Sequence, residues 1–173
     1  MPENETLSPS SKPLAWFLFL LGALGGTFLD LISKAIVFNK LKVFEQGSYE
    51  LIKGILRFKV TSNTGIIWGL FQGNNFMFLI ISVLAVPLII IIWFQIREPH
   101  WLISLGLGLV MAGTLGNFYD RLVYKGVRDF IDFYLIKWPI FNLADAWITI
   151  GVILIIIKML FSKPRTVSHA ETC

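Results

Sequence analysis

Cysteine is almost missing from this chain. The one copy, Cys173, is the last residue, so the sequence offers no internal disulfide, no cysteine metal cage and no thiol nucleophile inside a fold. Histidine is nearly as scarce: His100 and His169 lie far apart with no H-E-x-x-H spacing, which argues against a zinc peptidase. A G-x-S-x-G elbow is absent, and so is the G-x-G-D signature of presenilin-like proteases. Ser33 and Lys34 are neighbours, and on a helix adjacent side chains diverge by about 100°, so they cannot face each other as a Ser-Lys pair. Charge is thin as well. Fifteen Lys and Arg against eleven Asp and Glu amount to 15% of 173 residues, and the net charge of +4 reflects few acids, because no cluster of Lys and Arg appears. A nucleic-acid-binding role is thereby excluded.

What fills the space is apolar. Hydrophobic residues make up 55% of the chain and the mean hydropathy is +0.72, more than a water-soluble domain of this size hides in one core. The sequence therefore predicts a single integral membrane domain over 1–173, an all-α membrane protein with four transmembrane helices. Spans are expected at about 14–36, 76–96, 101–119 and 140–161, each long enough for a hydrocarbon core of about 30 Å. The first is not read as a cleaved signal peptide, since a polar tail precedes it and no basic region leads in. The second contains Pro87, which membrane helices tolerate. The third carries Gly106, Gly108, Gly113 and Gly116, small residues that let helices approach closely in lipid. Two extramembrane loops, 39–75 and 120–139, share one side, and a partly alternating run at Ile52, Ile55, Leu56, Phe58 and Val60 predicts a small β-rich cradle between spans one and two. Ten Lys and Arg lie on the loop side and five on the tail side. The positive-inside rule would put the loops in the cytoplasm.

Acids at membrane depth cost several kcal/mol and mark function by default. Asp30 and Lys34 are spaced to pair along one helix and read as a clamp or interface anchor, with water able to stand in for a lost partner. Asn117, Asp120 and Arg121 end span three and read as structural, Arg121 as a fixed cation that serves nearby acids or carbonyls. Asp129, in Val127-Arg-Asp-Phe-Ile, and Asp145, in Phe141-Asn-Leu-Ala-Asp, are separated by one loop and can converge at one membrane face. Two carboxylates sharing a proton can hydrolyse an amide without a metal, one activating water and the other donating to the carbonyl oxygen. The same acids also admit an ion-coupled transporter or proton relay, or a scaffold without catalysis.

Five blocks carry a resemblance that covers nearly the whole chain: Asp30-Leu-Ile-Ser33-Lys34, Asn63-Thr-Gly65-Ile-Ile-Trp68, Gly113-Thr-Leu-Gly116-Asn117-Phe-Tyr-Asp120-Arg121, Val127-Arg-Asp129-Phe-Ile and Phe141-Asn142-Leu-Ala144-Asp145. In this order they resemble the bacterial lipoprotein signal peptidases, the type II signal peptidase family. That resemblance implies an aspartic endopeptidase of the inner membrane, monomeric and needing no cofactor or metal. Its substrates would be diacylglyceryl-modified prolipoproteins held among membrane lipids, cut just before the lipidated cysteine. It implies Asp129 and Asp145 as the catalytic pair, with Asp30, Lys34, Asn63, Gly65, Asn117, Arg121, Asn142 and Ala144 binding substrate or supporting the site. It also implies cytoplasmic termini and an active site near the outer face, opposite to the charge count.

Overall fold

The structure is a computed structural model and describes residues 11–41, 47–65, 73–96 and 100–161. The expected turn at Arg97–His100, apart from His100 itself, lies outside the described residues, as do Ile66–Trp68 of the second block.

Four helical rods carry the apolar runs. The first is α1 (Ser11–Leu20), a π-helical segment (Leu21–Gly25) and α2 (Gly26–Leu41) in unbroken succession. The π segment falls on the glycine-rich stretch Gly22–Gly26. There Thr27 Oγ1 donates back to the Ala23 carbonyl at 2.7 Å. α3 (Asn75–Gln95) runs straight through Pro87, whose ring is exposed on the outer surface. α4 (Trp101–Tyr124) starts at His100, whose Nδ1 accepts from the Leu102 N–H at 3.3 Å. It ends at Lys125 in a left-handed conformation, a common way for a helix to stop. α5 (Leu143–Leu160) completes the set.

α4 is the hub: every other helix packs on it. Its glycines make that possible. A methyl on Gly108 would collide with the Phe19 carbonyl, one on Gly113 with the Ala144 carbonyl, and one on Gly106 would sit 2.8 Å from the Gly151 carbonyl. The remaining apolar side chains, such as Phe28, Leu84, Ile91 and Ile153, face outward, the pattern of helices whose solvent is lipid. At the opposite end from the site, Phe19 stacks on Trp93 at 4.7 Å and Trp16 meets Trp93 edge-on.

The cradle is a three-stranded antiparallel sheet in the order β1 (Ser48–Ile52), β2 (Leu56–Asn63), β3 (Val127–Asp132). Its first two strands lie in the expected loop. The third comes from the second loop, which the sequence reading left without a strand. Pairing sets Arg57 opposite Asp132 and Thr61 opposite Asp129, and Arg57 Nε donates to Asp132 Oδ2 at 2.7 Å. Beyond β3 the turn at Tyr134 to Lys137 leans on the β1–β2 tip, where the Tyr134 hydroxyl accepts from Gly54 N–H and donates to Glu50 Oε1.

Candidate active site

The ten residues singled out from the sequence meet where α2 and α4 end, β2 and β3 pair and α5 begins. Asn142 caps α5 in a reciprocal box: its Oδ1 accepts from the Asp145 N–H at 3.1 Å, and Asp145 Oδ2 accepts from the Asn142 N–H at 3.2 Å. An N-x-x-D spacing at a helix start does this by itself, so Asp145 stands at the start of α5 as the third residue of the helix. Asp129 reaches the same point from β3. Its Oδ1 accepts from Asn142 Nδ2 at 2.6 Å and its Oδ2 from Asn63 Nδ2 at 3.0 Å. Asn142 therefore stands between the two carboxylates and bonds to both.

Asn117 of α4 closes the set. Its Nδ2 donates to Asp145 Oδ1 at 2.9 Å, and its Oδ1 accepts from Asn142 Nδ2 and from Lys34 Nζ, each at 3.2 Å. Gly65 is buried, with its N–H on Asn63 Oδ1 at 2.9 Å. Ala144 is buried too, its N–H on Asp30 Oδ1 at 2.9 Å.

Beneath the pair lies a quartet of charges closed off from solvent. Lys34 Nζ contacts Asp30 Oδ2 at 2.7 Å and Asp120 Oδ2 at 3.3 Å. Asp120 in turn accepts from the Arg128 backbone N–H at 2.9 Å and from its guanidinium at 2.7 and 3.1 Å. Two cations and two anions balance, which is what permits burial. Gly116 makes room for it, since a methyl there would collide with the Asp30 carboxylate.

One expectation is corrected. Lys34 is not an interface lysine with water to fall back on: its side chain is 0% exposed, its Nζ donates to Asp30 Oδ2 and Asn117 Oδ1, and it pairs with Asp120. Removing it would break a buried network, a loss on the order of 3–5 kcal/mol. Arg121, read as a fixed cation serving nearby acids or carbonyls, is half-buried, donates to the Asn117 carbonyl at 3.4 Å and lies over the Phe78 ring. Arg128, whose guanidinium meets the buried Asp120 carboxylate, was passed over by sequence reasoning. Its only signal was a base beside Asp129 in the aromatic-flanked stretch.

Asp129 is 2% exposed. Burial, then repulsion from Asp145, push its carboxyl up from 3.8 to about 7, against the opposing pull of the Asn63 and Asn142 hydrogen bonds and of Lys34. It thus keeps a proton near neutrality while Asp145, more open to solvent, stands one amide away.

Four apolar rods, a surface sheet and a carboxylate pair held at the seam define a polytopic membrane enzyme. Two solved structures of bacterial membrane enzymes are similar to it, one at 32% identity and TM-score 0.73 over 84% of this chain and 94% of that one. The other shows 34% identity and TM-score 0.71 over 82% and 87%. The family description signal peptidase (SPase) II matches residues 22–161. The lipoprotein signal peptidase of Lactobacillus gasseri is 33% identical over 86% of this chain and 95% of its own length. That of Geobacillus thermodenitrificans is 38% identical over 77% and 83%. This chain belongs to the signal peptidase II family and is a peptidase.

Proposed function

We propose that this protein is an aspartic endopeptidase that removes the signal peptide from diacylglyceryl-modified prolipoproteins, cutting before the lipidated cysteine, with Asp129 and Asp145 as its catalytic pair. The observation that carries the reading is one residue, Asn142, that bonds to both carboxylates, to Asp129 through its side-chain amide and to Asp145 through its backbone N–H, and the buried one, Asp129, holds a proton up to about pH 7. Asp129 is then the acid and Asp145 the base.

In the first step a water oxygen attacks the scissile carbonyl carbon, Asp145 takes the water proton and Asp129 gives its proton to the carbonyl oxygen. The neutral gem-diol collapses as Asp145 passes its proton to the leaving nitrogen and Asp129 recovers one from a hydroxyl. Products leave with the dyad as it began. A site at the rim of the hydrocarbon suits such a substrate, because the acyl chains stay in lipid while the peptide reaches water.

The relay alternative is less well supported. A path needs acids spread through the membrane, and Asp30, Asp120, Asp129 and Asp145 gather at one end. We further infer a monomeric enzyme of the bacterial inner membrane, with both termini cytoplasmic, the site near the outer face, and prolipoproteins and lipids, not nucleic acid, as its partners. The test is release of a signal peptide from a diacylglyceryl-modified prolipoprotein by the purified protein. Cleavage should persist in EDTA and fail on the unlipidated precursor. Loss of cleavage in EDTA, or equal cutting of both precursors, contradicts the reading.

A further inference from the structure

We propose that Lys34 is a positioning residue for the peptidase chemistry: its buried ammonium fixes which end of the Asn117 amide faces Asp145, so that an N–H and not a carbonyl lies against that carboxylate. The inference rests on the reading of Asp129 and Asp145 as the catalytic pair.

The two ends of an asparagine amide are nearly equal in size and opposite in polarity, so the amide can be turned over at little steric cost unless a neighbour of fixed polarity decides. Around the dyad three amides need such an instruction. Asn63 receives it from the Gly65 N–H on its Oδ1, and Asn142 from the Asp145 N–H on its Oδ1. Both are backbone donors two or three residues away, built into the local chain. Asn117 lies mid-turn in α4. The donors on its Oδ1 are Asn142 Nδ2 and Lys34 Nζ, 83 residues distant.

An ammonium can only donate. One of its hydrogens is on Asp30 Oδ2, another reaches Asn117 Oδ1 at 3.2 Å, and Asp120 Oδ2 holds the charge as an ion pair at 3.3 Å. Turning the Asn117 amide over would set an NH2 against the fully buried ammonium and a C=O against Asp145, two like-polarity contacts. Of the two donors on Oδ1, Lys34 is the charged and therefore the stronger one. Asp30 and Asp120 fix Lys34 in turn, and Gly116 leaves the space for the Asp30 carboxylate. The first block and the G-x-x-G-N block thus reach the catalytic aspartate through one amide. This explains why a lysine that touches neither Asp129 nor Asp145 sits at 0% exposure beneath them.

Lys34→Met alone strands the Asp30 carboxylate, so the test uses a charge-balanced background, Lys34→Met with Asp30→Asn. This removes one cation and one anion and retains a carbonyl oxygen for the Ala144 N–H. Turnover of diacylglyceryl-modified prolipoprotein is measured for wild type, Asn117→Ala, the charge-balanced background, and the two combined, with melting in detergent followed alongside. The expected result is a kcat lowered about tenfold or more in the background with KM within about threefold of wild type. The combined variant should be no slower than Asn117→Ala alone within about twofold, because the lysine acts through that amide. Losses that multiply, or a folded background with wild-type kcat, overturn the proposal. Asn117→Ala keeps the charge quartet whole, so near-wild-type kcat in that variant overturns it even if the background does not fold. In the same assay, activity in Asp129→Asn or Asp145→Asn would instead defeat the dyad reading, which separates the two failures.

Discussion

Asp129 shows how a residue's chemistry is set by what surrounds it and not by its type. Its carboxyl rises from 3.8 to about 7 because burial and the neighbouring Asp145 outweigh two amide donors. Stability must follow. Below 3.8 both folded and unfolded chains hold this proton. Between 3.8 and about 7 the unfolded chain releases it while the fold retains it, so stability falls as pH rises through that window and levels off above it. The expected contribution is on the order of a few kcal/mol. Melting in detergent from pH 4.5 to 8 should decline for wild type, and the Asp129→Asn variant should decline less. Equal slopes would show that Asp129 does not carry the proton. Both aspartates were legible in the sequence as acids beside apolar runs. The depth of Lys34 was not, because an i,i+4 Asp-Lys pair reads alike on an exposed face and in a core, and only Asp120 and Asn117, from another helix, decide between them.

Elements carry the rest of the site. α4 presents glycine where another element must touch its backbone, and the consequence differs along its length. A methyl at Gly116 would run into the Asp30 carboxylate, held by Lys34 and Ala144. At Gly25 in the π segment the nearest atom to a new methyl would be 3.9 Å away. Gly116→Ala should therefore destabilise by about 1–3 kcal/mol and lower turnover with it, while Gly25→Ala should leave both nearly unchanged. Thermal melting of the two purified variants checks this, and equal melting would contradict the packing described. The four helices were legible because hydropathy runs announce them, though α2 and α4 continue to Leu41 and Tyr124, past the expected ends at 36 and 119. β3 was not legible. Val127–Asp132 is buried along nearly its whole length, so it lacks the alternation of a half-solvated strand. Its partner β2 lies 66 residues away in the Asn63–Asp129 bond.

For the whole molecule the open matter is which way it faces. Among the described residues Lys34, Arg57 and Arg128, three of the ten loop-side cations, are held in ion pairs, and setting those three aside still leaves seven against five, with the sign of the charge rule unchanged. The proposed function needs the sheet outside. A cysteine at Lys53, in the exposed β1–β2 turn, placed in a Cys173→Ser background, should react with an impermeant maleimide from outside intact cells, and Cys173 in the wild type should not. The reverse labelling would put the site in the cytoplasm. The measurement that reaches the central claim most directly is turnover of a diacylglyceryl-modified prolipoprotein by Asp129→Asn, Asp145→Asn and the double variant, with Asp132→Asn beside them. Asp132 lies on the same strand but is bound to Arg57 and not to Asn142. Each single dyad change should abolish cleavage, the double should be no worse than either, and Asp132→Asn should keep substantial activity. Near-wild-type cleavage by Asp129→Asn or Asp145→Asn would contradict the assignment of this pair.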